Sequence, residues 1–69
     1  MTLIQYGWML GSLTSRSSQI RVGQHLFNYL AINHKEIGES YRGTELDPFY
    51  DDNNVLPFLQ DLLDKHVSL

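Results

Sequence analysis

The chain has 69 residues, no cysteine, 42% hydrophobic and 12% aromatic residues, and a net charge of −3. That composition describes one domain, residues 1–69, with a modest core and no disulfides, and it excludes a disordered tail. Residues 1–35 carry Arg16, Arg21 and Lys35 and no acid (+3), whereas residues 36–69 set all eight acids against Arg42 and Lys65 (−6); so few cations and a negative sum argue against phosphate binding.

The most apolar stretch, Met1–Leu13, is interrupted by Gln5, Gly7, Gly11 and Ser12. It is too short to cross a bilayer and lacks the cationic start of a secretory leader, so no membrane role and a cytoplasmic location are expected. Leu3, Tyr6, Leu10 and Leu13 recur at spacings of three and four and predict a helix with Thr2 as its N-cap. Ile4, Trp8 and Met9 fall off that face, so the segment is apolar nearly all round. Gly7 and Gly11 form a notch that would let another helix come close.

Leu13–Ser18 reads as a linker, with Ser17 or Ser18 capping a second helix over residues 19–33. There Ile20, Gly23, Leu26, Phe27, Leu30, Ala31 and His34 share one broad face, and Arg21, Gln24, His25 and Asn28 lie opposite. Gly23 on the apolar face predicts close contact with another helix. A break at Asn33-His34 and a short third helix, 35–42, with Ile37 and Tyr41 inward, follow. Gly43 is then the residue past a helix end, where the backbone turns left-handed.

The run Arg42-Gly43-Thr44-Glu45-Leu46-Asp47-Pro48-Phe49-Tyr50-Asp51-Asp52 holds the densest turn chemistry and acid in the chain. Asp47-Pro48 predicts a short helical turn at Asp47–Asp51, with the aspartate as cap and proline in first position. Asn53 or Asn54 caps a last helix that tolerates Pro57 in its first turn and turns Val55, Phe58, Leu59, Leu62, Leu63 and His66 inward. Strict alternation is nowhere sustained, so the expected fold is all-α: a small bundle of four helices.

The residues supply little chemistry. Glu45, Asp47, Asp51 and Asp52 lack the ligand order and central glycine of a calcium loop. His25 and His34 stand nine residues apart, with no ligand pair. The serines cluster in a linker and a cap rather than in a nucleophile elbow. No catalytic residue, metal or cofactor is expected. Arg16, Arg21 and Lys35 are few for a small DNA-binding helical domain. The acids after residue 35 could instead imitate a phosphate backbone and occupy a basic groove on a DNA- or RNA-binding protein. The preferred expectation is a non-enzymatic protein-interaction or regulatory module. Its contact residues are Tyr6, Trp8 and Met9 on the first helix and Glu45, Asp47, Asp51 and Asp52 at the acidic corner. A second copy of the chain is one candidate partner for the first helix.

The start Met1-Thr2-Leu3 with Tyr6, then Arg21-Val22-Gly23-Gln24 with Leu26-Phe27-Asn28, then Arg42-Gly43-Thr44 with Asp47-Pro48-Phe49-Tyr50-Asp51 and Phe58-Leu59, together resemble small proteins encoded by bacteriophages and prophages. The resemblance spans most of the chain and implies a setting, the bacterial cytoplasm, in which the partner would be a host or phage protein. It carries no mechanism and no catalytic residue. The Gly7-Trp8-Met9-Leu10-Gly11 stretch is more apolar than that pattern.

Overall fold

The computed structural model describes residues 1–69. The chain forms α1 (Leu3–Gly11), α2 (Val22–Asn33), α3 (Lys35–Tyr41) and α4 (Val55–His66), with 3-10 turns at Ser12–Ser15 and Asp52–Asn54. The architecture is the all-α arrangement of four helices that the periodicities predict. Each α-helix places at least one side chain in a single core of Met9, Leu26, Leu30, Tyr41, Phe58 and Leu62. The ends of the chain meet in one parallel bridge, Thr2 with Ser68, in which Leu3 N donates to Ser68 O and Ser68 N to Met1 O.

Local chemistry sets α1. The Thr2 hydroxyl accepts from Gln5 N at 3.1 Å and the Gln5 carboxamide oxygen accepts from Thr2 N at 2.9 Å, so two otherwise unpaired donors are satisfied reciprocally. Past Gly11 the chain tightens, and the Ser12 and Thr14 hydroxyls donate back to Met9 O and Gly11 O. The face α1 turns inward differs from the expected one. Met9 is wholly buried while Leu3 is 47% exposed, so the inward stripe is Tyr6, Met9, Leu10 and Leu13. Both stripes are apolar at helical spacing, and α1 carries no charged residue to mark which one faces water.

The start of α2 also differs. It begins at Val22, with Arg21 at the cap position and no side-chain cap of its own. Ser17 closes a separate turn instead, accepting from Gln19 N through its hydroxyl and from Ile20 N through its carbonyl. The cap comes from far along the chain: Asp52 Oδ1 accepts from Gly23 N at 3.1 Å, which also places a carboxylate at the positive end of the helix dipole. Gly23 is required there, though not for a helix. A Cβ on it would run into the Pro48 carbonyl oxygen and lie 2.9 Å from Asp52 Oδ1.

Between α3 and α4 the expected turns hold in part. Gly43 has φ of 73° and carries the chain out of α3. The helical turn expected at Asp47–Asp51 is not there; the chain is irregular with a bend at Phe49-Tyr50, Asp51 is extended, and helical geometry starts at Asp52. Asp47 caps two backbone turns rather than a helix, accepting from Gly43 N at 2.8 Å and Phe49 N at 2.9 Å. The Phe49 carbonyl, which a helix would need, accepts from Arg21 Nη2 at 2.7 Å. Asn54 sits at the cap position of α4 but spends its amide on Asp47 O. On α4, Phe58 and Leu62 are fully buried, Val55, Leu59 and His66 partly so, and Leu63 is exposed where burial was expected.

Candidate functional site

Two surfaces stand out, on opposite flanks of α2. His25 meets Ser12 at the end of α1, while Gly23 and Phe27 meet the corner. At about 100° per residue, His25 and Phe27 point about 200° apart around the helix.

The corner encloses a cleft of about 530 Å³ lined by Phe27, Arg42, Gly43, Thr44, Asp47, Phe49, Tyr50, Asp51 and Asn54. Its walls are aromatic. Phe49 stands edge-on to Phe27 at 5.6 Å and to Tyr50 at 4.7 Å, and Tyr50 is 82% exposed. The one cation, Arg42, lies over the Phe27 ring at 5.1 Å and is held by Glu39 through two hydrogen bonds, of 3.0 and 3.1 Å. That pairing holds the Glu39 carboxyl below its ordinary pKa. Asp47 and Asp51 have no cationic partner among the ion pairs, which are Arg21–Asp52, Arg42–Glu39 and Lys65–Asp61. The cleft therefore offers aromatic faces and a net excess of carboxylate.

On the other flank α1 exposes Ile4 (66%) and Trp8 (65%). Gly7 and Gly11 lie on the same stripe, and nothing in the chain comes within 4 Å of where a Cβ on either would stand. The notch expected to admit another helix is open to solvent. Each glycine costs a helix about 1 kcal/mol relative to alanine, and no contact within the monomer accounts for that cost.

The residues singled out from sequence thus separate. Trp8 is exposed and Tyr6 half-buried, with burial raising its hydroxyl pKa. Met9 is a correction: at zero exposure it belongs to the core and offers no contact surface. Asp47 and Asp51 come together at the cleft. Glu45 is exposed beside it, outside the lining, and Asp52 is turned away to cap α2 and pair with Arg21 at 3.6 Å. Sequence reasoning did not bring Phe27 of α2 to the Arg42–Asp52 run, and did not single out Arg42 and Tyr50 within that run as contact residues. Their only signal was the aromatic pair Phe49-Tyr50 after a turn.

One contact has the look of a catalytic pair. Ser12 Oγ lies 2.9 Å from His25 Nε2. The hydroxyl proton is already donated to Met9 O at 2.6 Å, so the ring nitrogen donates and cannot act as base toward this serine. Ser12 also sits past the C-terminal end of α1, where the dipole disfavours a developing alkoxide. No three histidine or acid side chains gather as a metal site would require. Two of the three cations of the first half are spent internally, Arg16 on the Ile20 carbonyl and Arg21 on Phe49 O and Asp52. No helix is long and apolar enough to cross a membrane. No family model matches the chain, and no curated relative or solved structure matches it.

Proposed function

We propose that the protein is a non-enzymatic interaction module that binds another protein at the corner cleft, where it takes a cationic side chain of the partner. The observation that carries this reading is the cleft's lining: Phe49 and the exposed ring of Tyr50 beside Asp47 and Asp51, two carboxylates outside the ion pairs, while Arg42 is paired with Glu39. A guanidinium or ammonium group on an aromatic face gains about 0.5–1 kcal/mol at an exposed site, and nearby carboxylates add to it. On the resemblance to phage-encoded proteins, the partner is a host or phage protein in a bacterial cytoplasm. A row of acids standing in for a phosphate backbone fits less well. Of the eight acids only Asp47 and Asp51 line the cleft, while Asp52, Glu39 and Asp61 are held in ion pairs.

The test is a titration of the protein into a fluorescently labelled arginine-containing peptide, with an acidic peptide as control. Anisotropy should rise for the basic peptide alone, weaken as salt is raised, and fall to the control level with Tyr50→Ala. Equal response to both peptides, or an unchanged response with Tyr50→Ala, contradicts the reading.

A further inference from the structure

The corner cleft already holds a cation. Arg42 leaves the end of α3 at its cap position and lays its guanidinium over the Phe27 ring, 5.1 Å from the centroid. Phe27 belongs to the cleft wall yet is only 3% exposed, so little of its ring is left for a partner. Of the three rings in that wall, Tyr50 alone is exposed. Arg42 also stands in the field of the cleft's acid. Glu39, through hydrogen bonds of 3.0 and 3.1 Å, does most to raise the guanidinium pKa, and Asp47 and Tyr50 raise it further.

We propose that the cleft is a guanidinium site, that Arg42 is its internal occupant, and that an arginine of the partner binds by displacing Arg42 from the Phe27 ring. The inference rests on the reading of the cleft as a cation site, and adds to it the ligand group and a built-in competitor.

Arg42 is placed to leave. Its side-chain partners are the ring and Glu39, three residues back, and both members of that ion pair are about half exposed. Exposed pairs of this kind are weakly held. The long side chain can swing off the ring into water with the Glu39 fork intact. The incoming group has to match what departs. A guanidinium is flat, stacks on an aromatic face and presents a fork of N–H donors to a carboxylate, whereas an ammonium is a compact, strongly hydrated point charge. The vacated ring, with the charge of Asp47 and the second carboxylate oxygen of Asp51 in the same cleft, suits the first. The sign of the expected effect is distinctive. Losing a residue that lines a site ordinarily weakens binding, but loss of Arg42 removes a like charge and uncovers a ring, so binding strengthens.

Anisotropy titrations with two labelled peptides, alike except for arginine or lysine at one position, test this. The wild type should bind the arginine peptide more tightly than the lysine one. Arg42→Gln should tighten the arginine peptide by about two- to fivefold, the value of one exposed cation–aromatic contact. Lys65→Gln makes the same change in net charge beside Asp61 and should leave affinity unchanged. Because Arg42→Gln also strips a contact from Phe27, the unmodified chain supplies a second readout. Its Arg42 side-chain resonances, displaced by the Phe27 ring current, should move toward free-chain positions as the arginine peptide is added. Unchanged or weaker binding by Arg42→Gln overturns the proposal, as do equal tightening by Lys65→Gln and Arg42 resonances that stay fixed at saturation. Equal affinity for the two peptides overturns the guanidinium assignment. Binding that is lost with Tyr50→Ala but indifferent to Arg42→Gln sinks this inference alone and leaves the cation reading standing. No binding of either peptide, by the wild type or by Arg42→Gln, sinks both.

Discussion

The two flanks of α2 are built on opposite principles. On the α1 side the helix ends are set locally, by Thr2 with Gln5 at one end and by Ser12 and Thr14 on carbonyls three residues back at the other, and its distant polar contacts are Ser12 with His25 and the bridge to Ser68. That leaves the outer face of α1 free of structural duty. On the corner side the contacts span the chain: Asp52 to Gly23 across 29 residues, and Arg21 to Phe49 across 28. There the polar residues are largely consumed in holding the loop, and what remains for a partner is the aromatic wall, the second carboxylate oxygen of Asp51 and the charge of Asp47. Charge was therefore a poor guide to which surface is free, and exposed apolar area beside unexplained glycine a better one.

The largest expected effect breaks the corner at its tightest point. Gly23→Leu forces a side chain into the Pro48 carbonyl and the Asp52 carboxylate. It should destabilise the fold by at least about 2 kcal/mol in urea denaturation, whereas the open site at Gly7 accepts a larger residue. Wild-type stability in Gly23→Leu would mean that the corner does not pack on α2 as described.

Asp52→Ala removes the distant cap and should cost about 1–2 kcal/mol, with Asp52→Asn recovering most of it, since an amide oxygen also caps. If the loss were all ion pair with the half-exposed Arg21, Asn would be no better than Ala and the loss would fade with salt.

Acid should erode stability in two windows. Burial, and next the N-terminal amine, hold the His34 pKa below its ordinary value, so the unfolded chain takes up that proton first. Stability therefore falls as pH drops below about 6.5 toward the folded value. Asp61 accepts from the Tyr41 hydroxyl at 2.7 Å and from Lys65 at 2.9 Å, and its carboxyl is depressed. Its contribution is present above about pH 3.9 and is lost as pH falls through the depressed folded value. His34→Gln should flatten the first window and Asp61→Asn the second in melting temperatures taken across pH. The Tyr41 hydroxyl is pushed far up by burial and then by Asp61, so stability should also decline once pH passes about 10.

The smallest effect has the opposite sign. Gly7→Ala should stabilise the monomer by up to about 1 kcal/mol, because the position is helical and open. A loss instead would show a contact on the outer face of α1.

Features fixed within a few residues were legible from the sequence. The Thr2 cap, the break at His34, the left-handed Gly43 and the tolerated Pro57 all depend on neighbours in the chain. What failed depended on distant partners or on symmetry in the pattern. Asp47-Pro48 has the residues of a helix start, but Arg21 holds the Phe49 carbonyl and keeps the segment bent. The serines looked like the cap of α2, whereas Asp52 does that work. Met9 could not be told from Leu3 as the inward residue, because α1 is apolar on every side. The cleft was half visible: its acids were singled out, but Phe27 and Arg42 reach it only through the fold.

The most direct test of the corner as the contact face is a map of backbone amide shifts during titration with an arginine-containing peptide. The peptide should move Phe27 and residues 42–54 and leave α1 unchanged. Shifts centred on Trp8, with the corner unmoved, would contradict the account.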